Sequence, residues 1–162
     1  MSLHISEILI EGASLSLYFC VFVLGVLYYN PRLMLNDYPK SIRLAVSPRT
    51  AKENKQFRIV GTFLILTLIS VPFISILQYE EISFGTAFLH LFMVYSIISL
   101  VDLIILDWVI FCCITPKFLV IPGTNGMKDY QNYFFHAIAF LKGNVIYGVV
   151  SVLLAGLRVL LN

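Results

Sequence analysis

Charged side chains are scarce in this sequence. Only 12% of its 162 residues are Asp, Glu, Lys or Arg, while 59% are apolar. A water-soluble domain carries about 25% charged residues, so this composition excludes an ordinary soluble domain. The net charge of +2 is small, and we predict no nucleic-acid partner.

Cysteine and histidine are also sparse, and they form no metal-binding pattern. Cys20, Cys112 and Cys113 lie in apolar runs without the spacing of a disulfide framework or a zinc site. We expect His90 and His136 on opposite sides of a membrane, where they cannot ligate one haem iron. The sequence lacks a Walker A loop, a nucleophile elbow and an HExxH motif. We therefore predict no metal and no cofactor.

The chain instead contains four long apolar runs, at about residues 13–29, 59–77, 85–114 and 144–161. About 20 helical residues cross the hydrocarbon core of a bilayer. A lone segment in lipid satisfies its backbone groups by forming a helix. The sequence therefore predicts an all-α polytopic membrane protein with four transmembrane helices in one domain, residues 1–162.

The basic residues predict how the chain is oriented. Ten of the eleven Lys and Arg residues lie in or beside the loops 30–58 and 115–143, and the exception is Arg158. Cytoplasmic loops of membrane proteins are enriched in Lys and Arg. We therefore place both loops in the cytoplasm and both termini outside, in a multi-pass protein of the plasma (inner) membrane.

Two surfaces are predicted to meet partners. Lys52, Lys55 and Arg58 lie just before the second span, at the level where anionic lipid headgroups are met. Ser151 and Ala155 place small side chains on one face of the fourth span, and such a face allows close helix packing. That packing takes place either within the bundle or in a homo-oligomer or larger membrane complex.

The second cytoplasmic loop is predicted to be ordered. The turn-forming segment 121–126 is followed by an aromatic run from Tyr130 to Leu141. Such a run does not float in water, so we predict an interfacial or re-entrant helix before the fourth span. If it folds back, Lys117 and His136 approach the end of the third span. We then expect His136 to contact Asp107, directly or through one water.

Two carboxylates in the third span are the main candidate site. Asp102 and Asp107 are five residues apart, about 140° around an α-helix, so we predict that they do not form a side-by-side pair. Tyr95, Ser99 and Asp102 share one face. Intramembrane acids mark ligand, proton or ion sites. The alternatives are a hydrogen-bond lock between helices for Asp102 and an interfacial ion pair for Asp107.

Loop residues form a second group of candidates around these acids. If the loops fold back, Lys117 and His136 would help to form a polar cavity for an anionic headgroup or a phosphate. The alternative is that these are ordinary solvated side chains. The other members of the group are Asn36, Asp37, Arg43, Thr124, Asn125, Lys128, Asp129 and Tyr133.

One stretch of sequence carries a family resemblance. Residues 102–108 read Asp-Leu-Ile-Ile-Leu-Asp-Trp, and Thr-Pro-Lys at 115–117 and Ile-Pro-Gly-Thr at 121–124 follow. This pattern resembles small uncharacterised prokaryotic four-helix integral membrane proteins. The resemblance implies the same topology and a bacterial setting, and it implies no activity.

The functional prediction follows from these features. We expect a small ligand- or ion-binding, transport or complex-associated subunit with a polar site at the inner membrane face. The alternative is a membrane-embedded enzyme that acts on a lipid or its headgroup at that face. Asp102, Asp107, Tyr95, Ser99, Lys117 and His136 are the predicted ligand-binding residues.

Overall fold

The computed structural model describes residues 4–161 and confirms the predicted fold class. Its four long helices are α1 (Ile5–Tyr29), α3 (Ala51–Leu77), α4 (Phe84–Ile114) and α5 (Tyr133–Leu160). Each is long and apolar enough to cross a membrane. The described residues contain no β-strand. The protein is therefore an all-α polytopic membrane protein.

Shorter elements shape the two long connections. A 3₁₀ helix at Pro31–Asp37 and the five-residue helix α2 (Lys40–Leu44) lie between α1 and α3. A second 3₁₀ turn at Lys128–Gln131 precedes α5. We call the side of the bundle with these connections the loop end. The other side, with the turn 78–83, is the terminal end.

The start of α3 is fixed by a reciprocal cap. Thr50 Oγ1 accepts a hydrogen bond from the backbone N–H of Glu53, and Glu53 accepts one from the N–H of Thr50. This capping box satisfies two of the donors that a helix start leaves free. Arg32 Nε donates to the same Glu53 carboxylate over 2.7 Å, which ties the first connection to α3.

The small residues of α5 pack inside the bundle. Ser151 and Ala155 are fully buried, and a Cβ atom at Gly148 would lie 3.8 Å from the Phe92 ring of α4. Close approach of two membrane helices is the usual role of such a surface. An oligomer built on α5 would therefore use its other residues, and the oligomer itself stays a prediction.

The two connections pack against each other beneath the helices, as the sequence predicts for residues 116–142. Tyr38, Ile42, Leu119, Ile121 and Tyr130 are buried in one cluster with residues of α1 and α4. The Tyr38 hydroxyl donates to the carbonyl oxygen of Leu119 over 2.8 Å. This cluster closes the loop end of the bundle.

The aromatic run before the fourth span is ordered, but it is not a separate element. Asn132 caps the backbone N–H of Phe135, and α5 runs without a break from there. Phe134 and Leu141 are 74% and 63% exposed. In a membrane these side chains face lipid, which removes the need to cover them with protein.

Candidate functional site

The half of α4 nearest the loop end has a different hydrogen-bond pattern from the rest of the helix. Residues Phe84–Val101 are α-helical, and Asp102–Ile114 form a π-helix. The backbone N–H of Thr115 bonds to the carbonyl of Ile110, five residues back, over 2.9 Å. Thr115 then ends the helix with φ at 44°. π-helical turns are rare and are frequent at functional sites.

This π-helix corrects the predicted separation of Asp102 and Asp107. The value of about 140° assumes α-helical geometry. With bonds from residue i to i+5, residues five apart lie on successive turns of nearly the same face. Both aspartates accordingly line one cavity. No hydrogen bond joins the two carboxylates among the described residues, so the absence of a side-by-side pair stays a prediction.

The Asp107 to His136 contact is confirmed. His136 Nδ1 lies 2.9 Å from an Asp107 carboxylate oxygen, and the two side chains are 4% and 21% exposed. The contact fixes the imidazole by one nitrogen. The other nitrogen, Nε2, is buried and has no hydrogen-bond partner among the described residues. A neutral imidazole that donates from Nδ1 keeps Nε2 as an acceptor.

A cavity of about 330 Å³ surrounds these groups at the loop end. Its polar wall consists of Asn36, Asp37, Tyr38, Asp102, Asp107 and His136. The rest is apolar and comes from α1, α3, α4, α5 and the two connections, as Phe19, Val23, Leu24, Leu27, Met34, Leu64, Leu106, Ile110, Phe111, Leu119, Phe135 and Ala139. The described lining contains three carboxylates and no Lys or Arg.

Asp37 stands at the cavity on the first connection. The residue is exposed overall, yet surrounding atoms displace water from its carboxylate, and this desolvation raises its pKa. The charge of Asp107 raises the pKa of Asp37 further, while Arg49, Arg43 and His136 oppose the rise. Asp37 therefore interacts electrostatically with Asp107 of α4.

Asp102 faces this cavity rather than a side-chain partner. Its carboxylate makes no hydrogen bond or ion pair with the described residues, so the polar partner predicted from another helix is not among them. Asp107 and Asp37 are charged residues that interact with it electrostatically. The site thus places three acids around one apolar space.

Tyr95 and Ser99 lie deeper in the bundle, between α4 and α5, and do not line the cavity. Tyr95 is 2% exposed and stacks on Tyr147 with ring centroids 5.3 Å apart. Ser99 Oγ accepts a hydrogen bond from Asn144 Nδ2 over 3.1 Å. These contacts join the two helices.

Lys117 is exposed and lies outside the cavity lining. Of the other loop candidates, only Asn36 and Asp37 reach the cavity. Tyr38 reaches it too, and the sequence gives no signal for this beyond an aromatic ring in a polar loop. Among the described residues, the loops therefore line the cavity with an acid, an amide and a phenol and with no Lys or Arg, although Arg49 and Arg43 act electrostatically on Asp37.

Comparison with family models, with curated proteins and with solved structures gives no match to this chain. The resemblance of residues 102–124 to small prokaryotic membrane proteins stays a prediction.

Proposed function

We propose that this integral membrane protein binds an amphipathic small molecule with a cationic or hydrogen-bond-donating head in the loop-end cavity. The observation that supports this proposal is that Asp102, Asp107 and Asp37 line one cavity, with His136 as the one imidazole of the described lining. Negative charges that line one cavity repel each other, and a bound cation or hydrogen-bond donor relieves that repulsion. An anionic headgroup or a phosphate fits this wall less well.

The apolar part of the cavity supports a ligand with a hydrocarbon body. Ligand pockets span about 300–1,000 Å³ and combine apolar walls with a few convergent polar groups. The cavity of about 330 Å³ lies at the lower end of this range. It suits a head and the first part of a chain, with the remainder of the chain passing toward lipid.

The ligand experiment compares three ten-carbon amphiphiles, added to the protein in phosphatidylcholine nanodiscs. We expect decylamine to raise the unfolding temperature by about 5 °C or more near saturation. Decyl phosphate should produce no saturable rise, and decanol should bind more weakly than the amine. Asp102→Asn should raise the half-saturating decylamine concentration about tenfold, through loss of one charge-assisted bond.

The matched control is Glu81→Gln, which removes an exposed carboxylate at the terminal end. It should leave the decylamine titration unchanged. Equal shifts from all three amphiphiles would show a general effect on the bilayer and overturn the proposal. So would the same decylamine titration in Asp102→Asn and in the unchanged protein.

We propose that the protein lies in a bacterial plasma membrane with its loop end on the cytoplasmic side and both termini outside. Lys52, Lys55 and Arg58 are exposed at the start of α3, where they would meet anionic headgroups. In a cysteine-free background, Asn125→Cys should react with an impermeant maleimide only in inverted vesicles. Glu81→Cys should react only in intact spheroplasts, and the reverse pattern would contradict this orientation.

One observation favours a second candidate, a lipid-directed enzyme. The Asp107 to His136 pair resembles a general base held by a carboxylate, with Nε2 free of described partners. The described lining offers no Ser, Thr or Cys nucleophile, so the base would have to activate water. Release of ethanolamine from phosphatidylethanolamine vesicles, lost in His136→Gln, would favour this candidate over binding alone.

A further inference from the structure

A second carboxylate and imidazole pair lies at the terminal end. His90 Nε2 is 2.8 Å from a Glu11 carboxylate oxygen, and the two side chains are 2% and 12% exposed. The other Glu11 oxygen, Oε1, is buried without a described hydrogen-bond partner. The bundle therefore carries one such pair at each end, Glu11 with His90 and Asp107 with His136.

Polar residues from α1, from the turn 78–83 and from α5 lie near the Glu11–His90 pair. The Tyr79 hydroxyl hydrogen-bonds to the Glu7 carboxylate, and the Tyr79 ring packs against His90 with centroids 6.2 Å apart. Arg158 of α5 donates to the carbonyl of Tyr79. A surface depression of about 610 Å³ is lined by Glu7, Glu11 and Tyr79 among others. The pair is thus accessible from the terminal end.

Buried polar groups continue from this pair along α4 and α5. The Tyr95 hydroxyl and Ser151 Oγ are buried and have no described hydrogen-bond partner. The contacts of Ser99 with Asn144 and of Tyr95 with Tyr147 set an antiparallel register. That register brings Ser151 close to the level of His90.

Four of the buried polar atoms without a described partner lie along this line, and the other two belong to Tyr18 on α1 and Arg43 on α2. Six such atoms are found among the described residues, and four belong to Glu11, Ser151, Tyr95 and His136. Buried polar groups in proteins are normally satisfied, and exceptions point to bound water or to a functional role. A line of such groups between two ionisable pairs is the arrangement that a proton path requires.

The axial steps along α4 are short enough for such a path. With a rise of about 1.5 Å per residue, Tyr95 lies about 7.5 Å beyond His90, Ser99 about 6 Å further and Asp102 about 4.5 Å beyond that. The hydroxyl and carboxyl groups, with one or two waters between them, span steps of this size.

We propose that the protein transfers protons across the membrane between the Glu11–His90 pair and the loop-end cavity. A proton leaves the terminal-end pair, passes the hydroxyls of Ser151, Tyr95 and Ser99, and reaches Asp102 and then the Asp107–His136 pair. No bond other than O–H and N–H forms or breaks, and each transfer moves one positive charge. This activity goes beyond ligand binding and does not depend on it.

The test measures proton flux into liposomes that contain pyranine, with a potassium diffusion potential set by valinomycin. We expect the protein to raise the flux about tenfold or more over protein-free liposomes. Tyr95→Phe keeps the ring stacked on Tyr147 but removes the hydroxyl, and it should lower the protein-dependent flux about tenfold. The matched control is Tyr18→Phe, because the Tyr18 hydroxyl is also buried and unpartnered but belongs to α1, where its ring packs against Phe22.

Flux equal to that of protein-free liposomes would overturn the proposal. Equal flux from the unchanged protein, Tyr95→Phe and Tyr18→Phe would show that protons do not use this line, and would overturn it as well. Tyr95 does not line the cavity, so Tyr95→Phe should keep the decylamine titration of the unchanged protein. This comparison also shows that the variant is folded, and it separates failure of the proton path from failure of ligand binding.

Discussion

Replacement of Asp107 by alanine should lower the free energy of unfolding by about 1–3 kcal/mol, because it leaves the buried Nδ1 of His136 without its partner. The loss should be measured by reversible denaturation in mixed micelles. In the double variant Asp107→Ala, His136→Ala, the two losses should fall short of additivity by about 0.5–3 kcal/mol.

The matched control for this double-mutant cycle is Asp129→Ala, because Asp129 lies in the second connection and outside the cavity lining. Its effect should lie within about 0.5 kcal/mol. Full additivity of Asp107→Ala and His136→Ala would contradict the direct contact. It would also remove the argument that the imidazole is held in place for a ligand.

Replacement of Arg158 by alanine should have a still larger effect, about 3 kcal/mol or more. Arg158 is 4% exposed, and its guanidinium donates to the carbonyl oxygens of Ile76 in the last turn of α3 and of Tyr79 in the turn that follows. Each hydrogen bond from a charged donor contributes about 1.5–3 kcal/mol. The variant leaves these carbonyls without that donor and opens space beside them. Thermal unfolding in detergent measures the loss.

Arg158→Lys is the informative companion. Lysine keeps the charge but lacks the planar fork that reaches two carbonyls at once. We expect its stability to fall between those of the unchanged protein and Arg158→Ala. An alanine variant as stable as the unchanged protein would show that α3 does not need this residue to anchor its end.

The four spans were predictable because each is a continuous apolar run long enough to cross a bilayer. The order of the second connection was predictable as well, because Tyr130 and its neighbours are too apolar to remain in water. From that order followed the approach of His136 to Asp107. These predictions rest on composition and segment length, which the sequence states directly.

The sequence does not predict that Asp102 and Asp107 line the same cavity. No Pro or Gly lies between residues 102 and 114, so nothing in this run signals a departure from α-helical geometry. A helical-wheel argument with 100° per residue therefore separates two side chains that the π-helix brings together.

The contact between Glu11 and His90 could not be predicted from the sequence, for a different reason. Glu11 and His90 are 79 residues apart in sequence, with Glu11 just before the first apolar run and His90 inside the third. The helices α1 and α4 approach closely at Gly12, where a Cβ atom would lie 2.9 Å from the Ile97 side chain. Topology indicates that both residues lie near the same end. It does not indicate which faces of the two helices meet.

The central claim is that the loop-end cavity takes the head of a cationic amphiphile between Asp102, Asp107 and His136. An experimental structure of the protein in nanodiscs with decylamine tests it most directly. We expect the amine nitrogen to lie within hydrogen-bonding distance of the Asp102 or Asp107 carboxylate, and the alkyl chain to lie along the apolar wall. A structure with the amine only in bulk lipid, or with Asp102 turned toward the acyl chains, would contradict it.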